Sequence, residues 1–321
     1  MIKVLDCTLR DGGYIIDWMF QKDCIKSITD NLSRAKIDFI ECGFLKECEY
    51  NPDKTFFDTP ERVVLKSGRA SLMVNFGEFS SENFQYAYEN SPIIRVAFKK
   101  HLIKEALEYI QTLKDKGWDV FANPMSTNTY SKEELASLIT ELNKIEPYGI
   151  SIVDTLGNMY ENDVIEIFKF IDERLEKNIS IGFHSHNSMQ LSFSNTKALL
   201  KAGIEREIII DSCVYGMGRG AGNLCTELIT KYLNDNCGKS YKIPPILKII
   251  TKNLKPIYDK KPWGYSTPYY IAAIHGCHPN YANHLVNLGF TDEKIDEIIA
   301  LIPEEKKTSF DKELLQNILK N

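Results

Sequence analysis

The sequence offers no disulfide framework and no zinc knuckle. Its eight cysteines (Cys7, Cys24, Cys42, Cys48, Cys213, Cys225, Cys237 and Cys277) contain no C-x-x-C pair. Several sit in apolar, strand-like runs where a reduced thiol packs as a small hydrophobe, so free thiols are expected. A basic face is also missing. The 39 Lys and Arg residues are outnumbered by 44 Asp and Glu, and the net charge of -5 is interspersed, which argues against a nucleic-acid partner. No apolar run approaches a membrane span. The N-terminal "MIKVLDCT" has no charged region followed by an apolar region and a small-residue cleavage site, so a cytoplasmic protein is expected. Internal repeats and low-complexity segments are absent, as are G-x-G-x-x-G after the first strand and G-K-[ST] in the glycine-rich stretch "GMGRGAGN", which excludes the usual dinucleotide fingerprint and a P-loop there.

What the chain does have is alternation. Short runs rich in Val, Ile and Phe begin at Ile2, Phe39, Ser71, Ile93, Asp119, Gly149, Ile179 and Glu207, giving eight candidate parallel strands. Between them lie segments whose apolar residues recur every three or four positions. Ser131 with Glu134 forms a capping box ahead of Leu135, Leu138, Ile139 and Leu142, and Val164, Ile167, Phe168, Ile171 and Leu175 repeat the pattern. Strand-helix units of this size predict an α/β fold, a (β/α)8 TIM barrel over residues 1–238. An open doubly wound sheet is the structural rival, but it seldom needs eight such even units. The paired prolines of "KIPPILK" interrupt the pattern, and residues 239–321 are expected to form a helical C-terminal appendage packing on the barrel or lining its mouth.

Barrel enzymes carry their reactive groups at the C-terminal ends of the strands. Arg10 and Asp11 end the first strand, Glu41 lies in the second, Asn75 ends the third, Asp154 and Thr155 the sixth, and "HSHN" the seventh. His184 and His186 are one residue apart, a spacing that turns both imidazoles to the same face of a strand. Such a pair alone is as consistent with satisfied rim histidines as with a metal site. Asp11, one strand away from the neighbour of the seventh strand in a closed barrel, makes a third ligand and favours the metal. After the last strand "GMGRGAGN" supplies Gly216, Gly218, Gly220 and Gly222, whose lack of side chains lets backbone approach a ligand. Asn223 can add an amide oxygen to the ion or steady a ligand histidine. For Arg10 a salt bridge to Asp6 or Glu41 is the purely structural alternative. His275, His278 and His284 flank Cys277, but Pro279 breaks the run and no second ligand pair lies near.

Together, "TLRDG", the H-x-H followed by Asn195 and Thr196, and "GMGRGAGN" resemble the barrel family that includes 4-hydroxy-2-oxovalerate aldolase, 3-hydroxy-3-methylglutaryl-CoA lyase and 2-isopropylmalate synthase. The stretch "DSCVYGMGRGAGN" is more similar to the aldolase branch than to the condensing synthases, whose counterpart tends to read "GIGERAGN". The resemblance implies a divalent ion, Mn2+ or Mg2+, held by Asp11, His184, His186 and Asn223. It implies cleavage or formation of a carbon-carbon bond of a 4-hydroxy-2-oxo acid through a pyruvate enolate, with Arg10 stabilising the developing charge. Thr155, Gly218 and Gly220 would contact the 2-oxo acid, and "GYSTPY" maps an active-site tyrosine onto Tyr269. One position departs from the family: where the aldolases continue "TLRDGxH" with a histidine base, this chain has Tyr14. Tyr14, Tyr269 or a metal-bound hydroxide would then serve as base. The rivals are a Claisen-type acyltransferase condensing acetyl-CoA with a 2-oxo acid, and a barrel that binds metal and 2-oxo acid without turnover. The expected partners are a small 2-oxo acid and an aldehyde. By resemblance alone an aldehyde dehydrogenase joins them, with a homo-oligomer as the expected assembly.

Overall fold

The computed structural model describes residues 1–203 and 205–320. Eight parallel strands form the barrel: β1 (Ile2–Asp6), β2 (Phe39–Leu45), β3 (Arg69–Asn75), β4 (Ile93–Phe98), β5 (Val120–Pro124), β6 (Gly149–Asp154), β7 (Ser180–Ser185) and β8 (Ile208–Ser212). Each pairs with the next, and the sheet closes where β1 meets both β8 (Leu5 opposite Asp211) and β2 (Leu5 opposite Phe39). Closure leaves no barrel strand with an open edge. Six helices follow strands: α1 (Lys22–Ala35), α2 (Ile103–Asp115), α3 (Lys132–Ile145), α4 (Glu161–Asp172), α5 (Ser192–Lys201) and α6 (Thr226–Asn236). The capping box at α3 is closed in both directions, Ser131 Oγ accepting from the Glu134 amide at 3.2 Å and the Glu134 carboxylate from the Ser131 amide at 2.7 Å.

The crossovers after β2 and β3 contain no α-helix among the described residues: the first holds the short strand Phe56–Phe57, paired with β2, and the 3-10 turn Pro60–Arg62, and the second the 3-10 turn Ser81–Asn83. Their sequences lack a 3.6-residue repeat and are broken by Pro52, Pro60 and Gly68. An aromatic cluster, Phe79, Phe84 and Trp118, covers the outer barrel wall there, Phe84 and Trp118 meeting edge to face at 5.4 Å.

Alternation along the strands divides the core. Outward residues such as Ile40, Leu72, Ile94, Val96 and Ile152 pack beneath the helices, while Leu5, Phe39, Ile93, Phe121 and Ile209 fill an apolar floor inside the barrel. Above that floor the interior turns ionic. Phe44, Met73 and Ala97 line its upper rim.

Beyond the barrel strands, α7 (Ile243–Ile249) packs on α1, and Tyr241, Ile246, Ile249, Leu254 and Trp263 belong to the same apolar core as the barrel helices. A separate small core, built on Ile271, Tyr281, Leu285, Ile295, Ile299 and Leu315, unites the helices Thr267–Ile274, Pro279–Asn287, Asp292–Ala300 and Lys312–Ile318. These helices sit over the C-terminal ends of the strands. Asn158 after β6 donates to the Ala273 carbonyl at 3.3 Å, and a Cβ placed on Gly220 after β8 would lie 3.2 Å from Pro279. No helix among the described residues is long and apolar enough to cross a membrane.

Candidate active site

After β1 the chain turns tightly, the amides of Arg10 and Asp11 donating to the Cys7 carbonyl at 3.1 and 2.8 Å, which aims both charged side chains into the barrel mouth. His184 is the last residue but one of β7 and His186 follows the strand on the same face, the rings 5.2 Å apart and edge on. One ligand atom each from Asp11, His184 and His186 lie within 4.8 Å of one another, and all three residues are buried.

The hydrogen bonds around the trio fix which atoms face inward. His184 Nδ1 lies 3.0 Å from Asp211 Oδ2, and His186 Nδ1 lies 3.2 Å from the Gly222 carbonyl. A carbonyl or carboxylate oxygen only accepts, so each Nδ1 carries the hydrogen and each Nε2 is left as a donor for an ion. His184 Nε2 already points at Asp11 Oδ2, 3.8 Å away. Asn223 steadies the carboxylate from the other side, its Nδ2 donating to Asp11 Oδ1 at 2.8 Å, while its own Oδ1 is buried without a hydrogen-bond partner among the described residues. Two neutral imidazoles, a carboxylate and an orphaned amide oxygen suit a divalent cation of borderline hardness.

A closed ring of charges surrounds the trio. Arg10 Nε binds Glu41 at 2.7 Å, Glu41 binds Arg95 at 3.1 Å, Arg95 binds Asp211 at 2.5 Å, Asp211 holds His184, and Asp11 returns the circuit to Arg10 Nη1. Both Arg95 and Asp211 are essentially without solvent contact. Two guanidinium groups against three carboxylates leave one net negative charge when the imidazoles are neutral. A divalent ion would reverse that to one net positive charge, suited to an anionic substrate. Burial opposes ionisation of Asp11, but the Arg10 cation, with His186 and His184, outweighs it and holds the carboxyl well below the usual range. Burial also opposes a charged His184, yet hydrogen bonds to Asp211 and Cys7 prevail and raise it to about 9. For His186 burial prevails, lowering it to about 3.

The trio opens on a cavity of about 90 Å3 lined by Arg10, Tyr14, Asn75, Thr155 and Arg219 together with Phe44, Met73 and Met125. That is well below the roughly 300–1,000 Å3 of a site for drug-sized ligands. Thr155 contributes to the wall while its Oγ1 accepts from the Ser126 amide at 2.9 Å. Gly218 instead packs behind the trio: a Cβ there would come within 2.0 Å of Asn223 Nδ2 and 2.7 Å of Asp11 Oδ1. Gly220 and Tyr269 line a neighbouring outer cavity, and Tyr269 donates to Asn283 Oδ1 at 3.4 Å. Tyr14 belongs to both cavities, as does Arg219, whose guanidinium lies 5.0 Å from the Tyr14 ring centre. Asn195 and Thr196 lie outside the cavity, Asn195 donating to the Met159 carbonyl at 2.7 Å. His275 pairs with Asp296 at 2.7 Å and takes part in no ligand cluster.

Sequence reasoning missed Arg95, Asp211 and Arg219. The signal for the first two was present: a lone charge inside the apolar runs "IIRVAF" and "IIIDS" must find a buried partner.

The HMGL-like family model matches residues 91–243. The 4-hydroxy-2-oxovalerate aldolase of Chloroflexus aggregans is 27% identical over 248 residues, 72% of this chain and 69% of that protein. The oxaloacetate decarboxylase of Mycobacterium tuberculosis is 23% identical over 238 residues, again 72% and 69%. Among solved structures, the N-terminal domain of a candidate aldolase from Bacteroides vulgatus superposes with a TM-score of 0.79 at 25% identity, covering 92% of this chain and 99% of that one. A closed (β/α)8 barrel, a donor set for a divalent ion at its mouth and these likenesses together support an HMGL-like, metal-dependent aldolase or lyase.

Proposed function

We propose that the chain cleaves or forms the C3–C4 bond of a 4-hydroxy-2-oxo acid by way of a pyruvate enolate. The observation that carries this reading is the Asp11, His184 and His186 trio beside Arg10 in a cavity sized for a three-carbon oxo acid. Asp11, His184 and His186 would hold Mn2+ or Mg2+, with Asn223 as a further oxygen donor; the ion, when bound, supplies Lewis acidity toward the 2-oxo group.

The chain's own residues do the rest. In the cleavage direction the 4-hydroxyl gives up its proton as its C–O bond becomes a carbonyl, the C3–C4 pair passes to C3, and the charge is carried by the C2 oxygen. Arg10 lines the cavity with Nε and Nη1 committed to Glu41 and Asp11, so Nη2 remains to donate to that oxyanion. Tyr14 is the tyrosine of the inner cavity and takes the role of exchanging the hydroxyl proton; Tyr269 faces the outer cavity only. Thr155 lines the same cavity. The same enolate results from loss of carbon dioxide from oxaloacetate, the substrate named for one relative. The reading extends to a cytoplasmic homo-oligomer whose aldehyde passes to a dehydrogenase.

Incubating the Mn2+-loaded protein with pyruvate in deuterated water and following the methyl protons by NMR tests the enolate step. Exchange is expected, and its loss in His184→Ala. No exchange with either Mn2+ or Mg2+ overturns the reading. Coenzyme A released from acetyl-CoA and a 2-oxo acid would point to the condensing rival.

A further inference from the structure

The inner cavity of about 90 Å3 has room for the oxo-acid half of the substrate and little else. Whatever is attached at C4 must extend past Tyr14 and Arg219, which border both cavities, into the outer one of about 290 Å3. The character of that outer cavity therefore reports on the aldehyde.

One wall is the helix Pro279–Asn287, which presents Asn280, Asn283 and Asn287 along a single face, with His284 between them. The side chains of Asn280 and Asn287 make no hydrogen bond among the described residues, and Asn283 uses only its oxygen, accepting from Tyr269. Each free amide offers donors and an acceptor, the complement of a hydroxyl, which does both. Among the described residues no carboxylate lines this cavity, and Arg219, its one formal cation, has no carboxylate partner while its Nε is buried and unpaired. Phe310 and Tyr269 add flat apolar surface against which C–H groups pack. A short alkyl aldehyde such as acetaldehyde would use none of these groups.

Resting on the aldolase reading above, we infer that the outer cavity is the binding site of an aldehyde bearing a chain of hydroxylated carbons, a small aldose, with Arg219 meeting its first oxygen beyond the carbonyl. In the forming direction the pyruvate methyl loses a proton, the enolate carbon attacks the aldose carbonyl carbon, and the carbonyl oxygen takes up a proton. The product is a polyhydroxylated 4-hydroxy-2-oxo acid, and no redox change occurs.

Two measurements test this. Saturation-transfer NMR on the metal-free protein compares erythritol with 1,4-butanediol, which has the same carbon chain without the inner hydroxyls. Transfer to erythritol alone is expected, abolished in Asn280→Leu/Asn283→Leu; equal transfer to both, or transfer to erythritol undiminished by the double substitution, overturns the inference. With Mn2+ and pyruvate, kcat/KM for D-erythrose should exceed that for acetaldehyde at least tenfold, and that ratio should fall at least tenfold in the double variant, with each protein's own pyruvate exchange rate as reference. Pyruvate exchange accompanied by a preference for acetaldehyde sinks the inference and leaves the aldolase reading standing; absence of exchange sinks both.

Discussion

At the scale of single residues, the site is governed by what burial does to charge. Arg10, Glu41, Arg95, Asp211, His184 and Asp11 are stable together because each is flanked by an opposite sign, and removing one strands its neighbours. Asp211 holds His184 in the tautomer that offers Nε2, so Asp211→Asn should lower Mn2+ affinity about 10–100-fold when titrated calorimetrically at high pH. That bond, together with the one to Cys7, outweighs burial and raises His184 to about 9, and metal must displace that proton. Below that value apparent Mn2+ affinity should climb about tenfold per pH unit, then level off near pH 9; His186, lowered to about 3, is already neutral and adds no slope. In Asp211→Asn, levelling should begin at lower pH. A slope of zero between pH 7 and 9 in the parent protein would contradict the assignment of His184 as a ligand. Arg10→Lys keeps the charge but loses the forked donors, and pyruvate exchange should drop roughly 100- to 1,000-fold while Mn2+ still binds.

Elements decide how those residues meet. The alternation of β4 puts Arg95 inside and Ile94 and Val96 outside, which is why an apolar run can hide a charge in a barrel interior. The loop after β8 depends on Gly218, whose missing Cβ lets Asn223 reach Asp11. Gly218→Ala should weaken Mn2+ binding at least tenfold, because the new methyl displaces Asn223 or Asp11. Ser131→Ala provides the contrast: loss of the α3 cap should cost about 1 kcal/mol in a urea melt and leave Mn2+ affinity as it was. The strands and this cap were legible from sequence because period and capping are local. The crossovers after β2 and β3 were expected to hold helices like the rest. Their covering is aromatic instead, assembled from Phe79, Phe84 and a tryptophan that arrives from beyond α2, and no local repeat announces such a cluster.

Across the whole molecule, two apolar cores divide the labour. The barrel core carries the ionic ring, and the smaller core around Ile299 seats the helices that wall the outer cavity. Ile299→Ala should cost about 2–5 kcal/mol locally. Hydrogen exchange is then expected to quicken in the amides of residues 267–319 while those of β4 and β6 keep their protection; uniform quickening would mean that the two cores unfold as one.

By itself the sequence determined the eight-strand alternation, the H-x-H on one strand face and the Arg-Asp pair, which the structure places in the turn just after β1, since each is a matter of spacing along one segment. Tertiary structure alone decided that Asp211 and Gly222 orient the two imidazoles, that Asn223 turns its amide nitrogen to Asp11, and that Tyr14 rather than Tyr269 shares the inner cavity. The reason is distance along the chain. Asp11 and Asn223 are joined by a bond spanning 212 positions, and only closing the barrel between β1 and β8 brings such groups within reach.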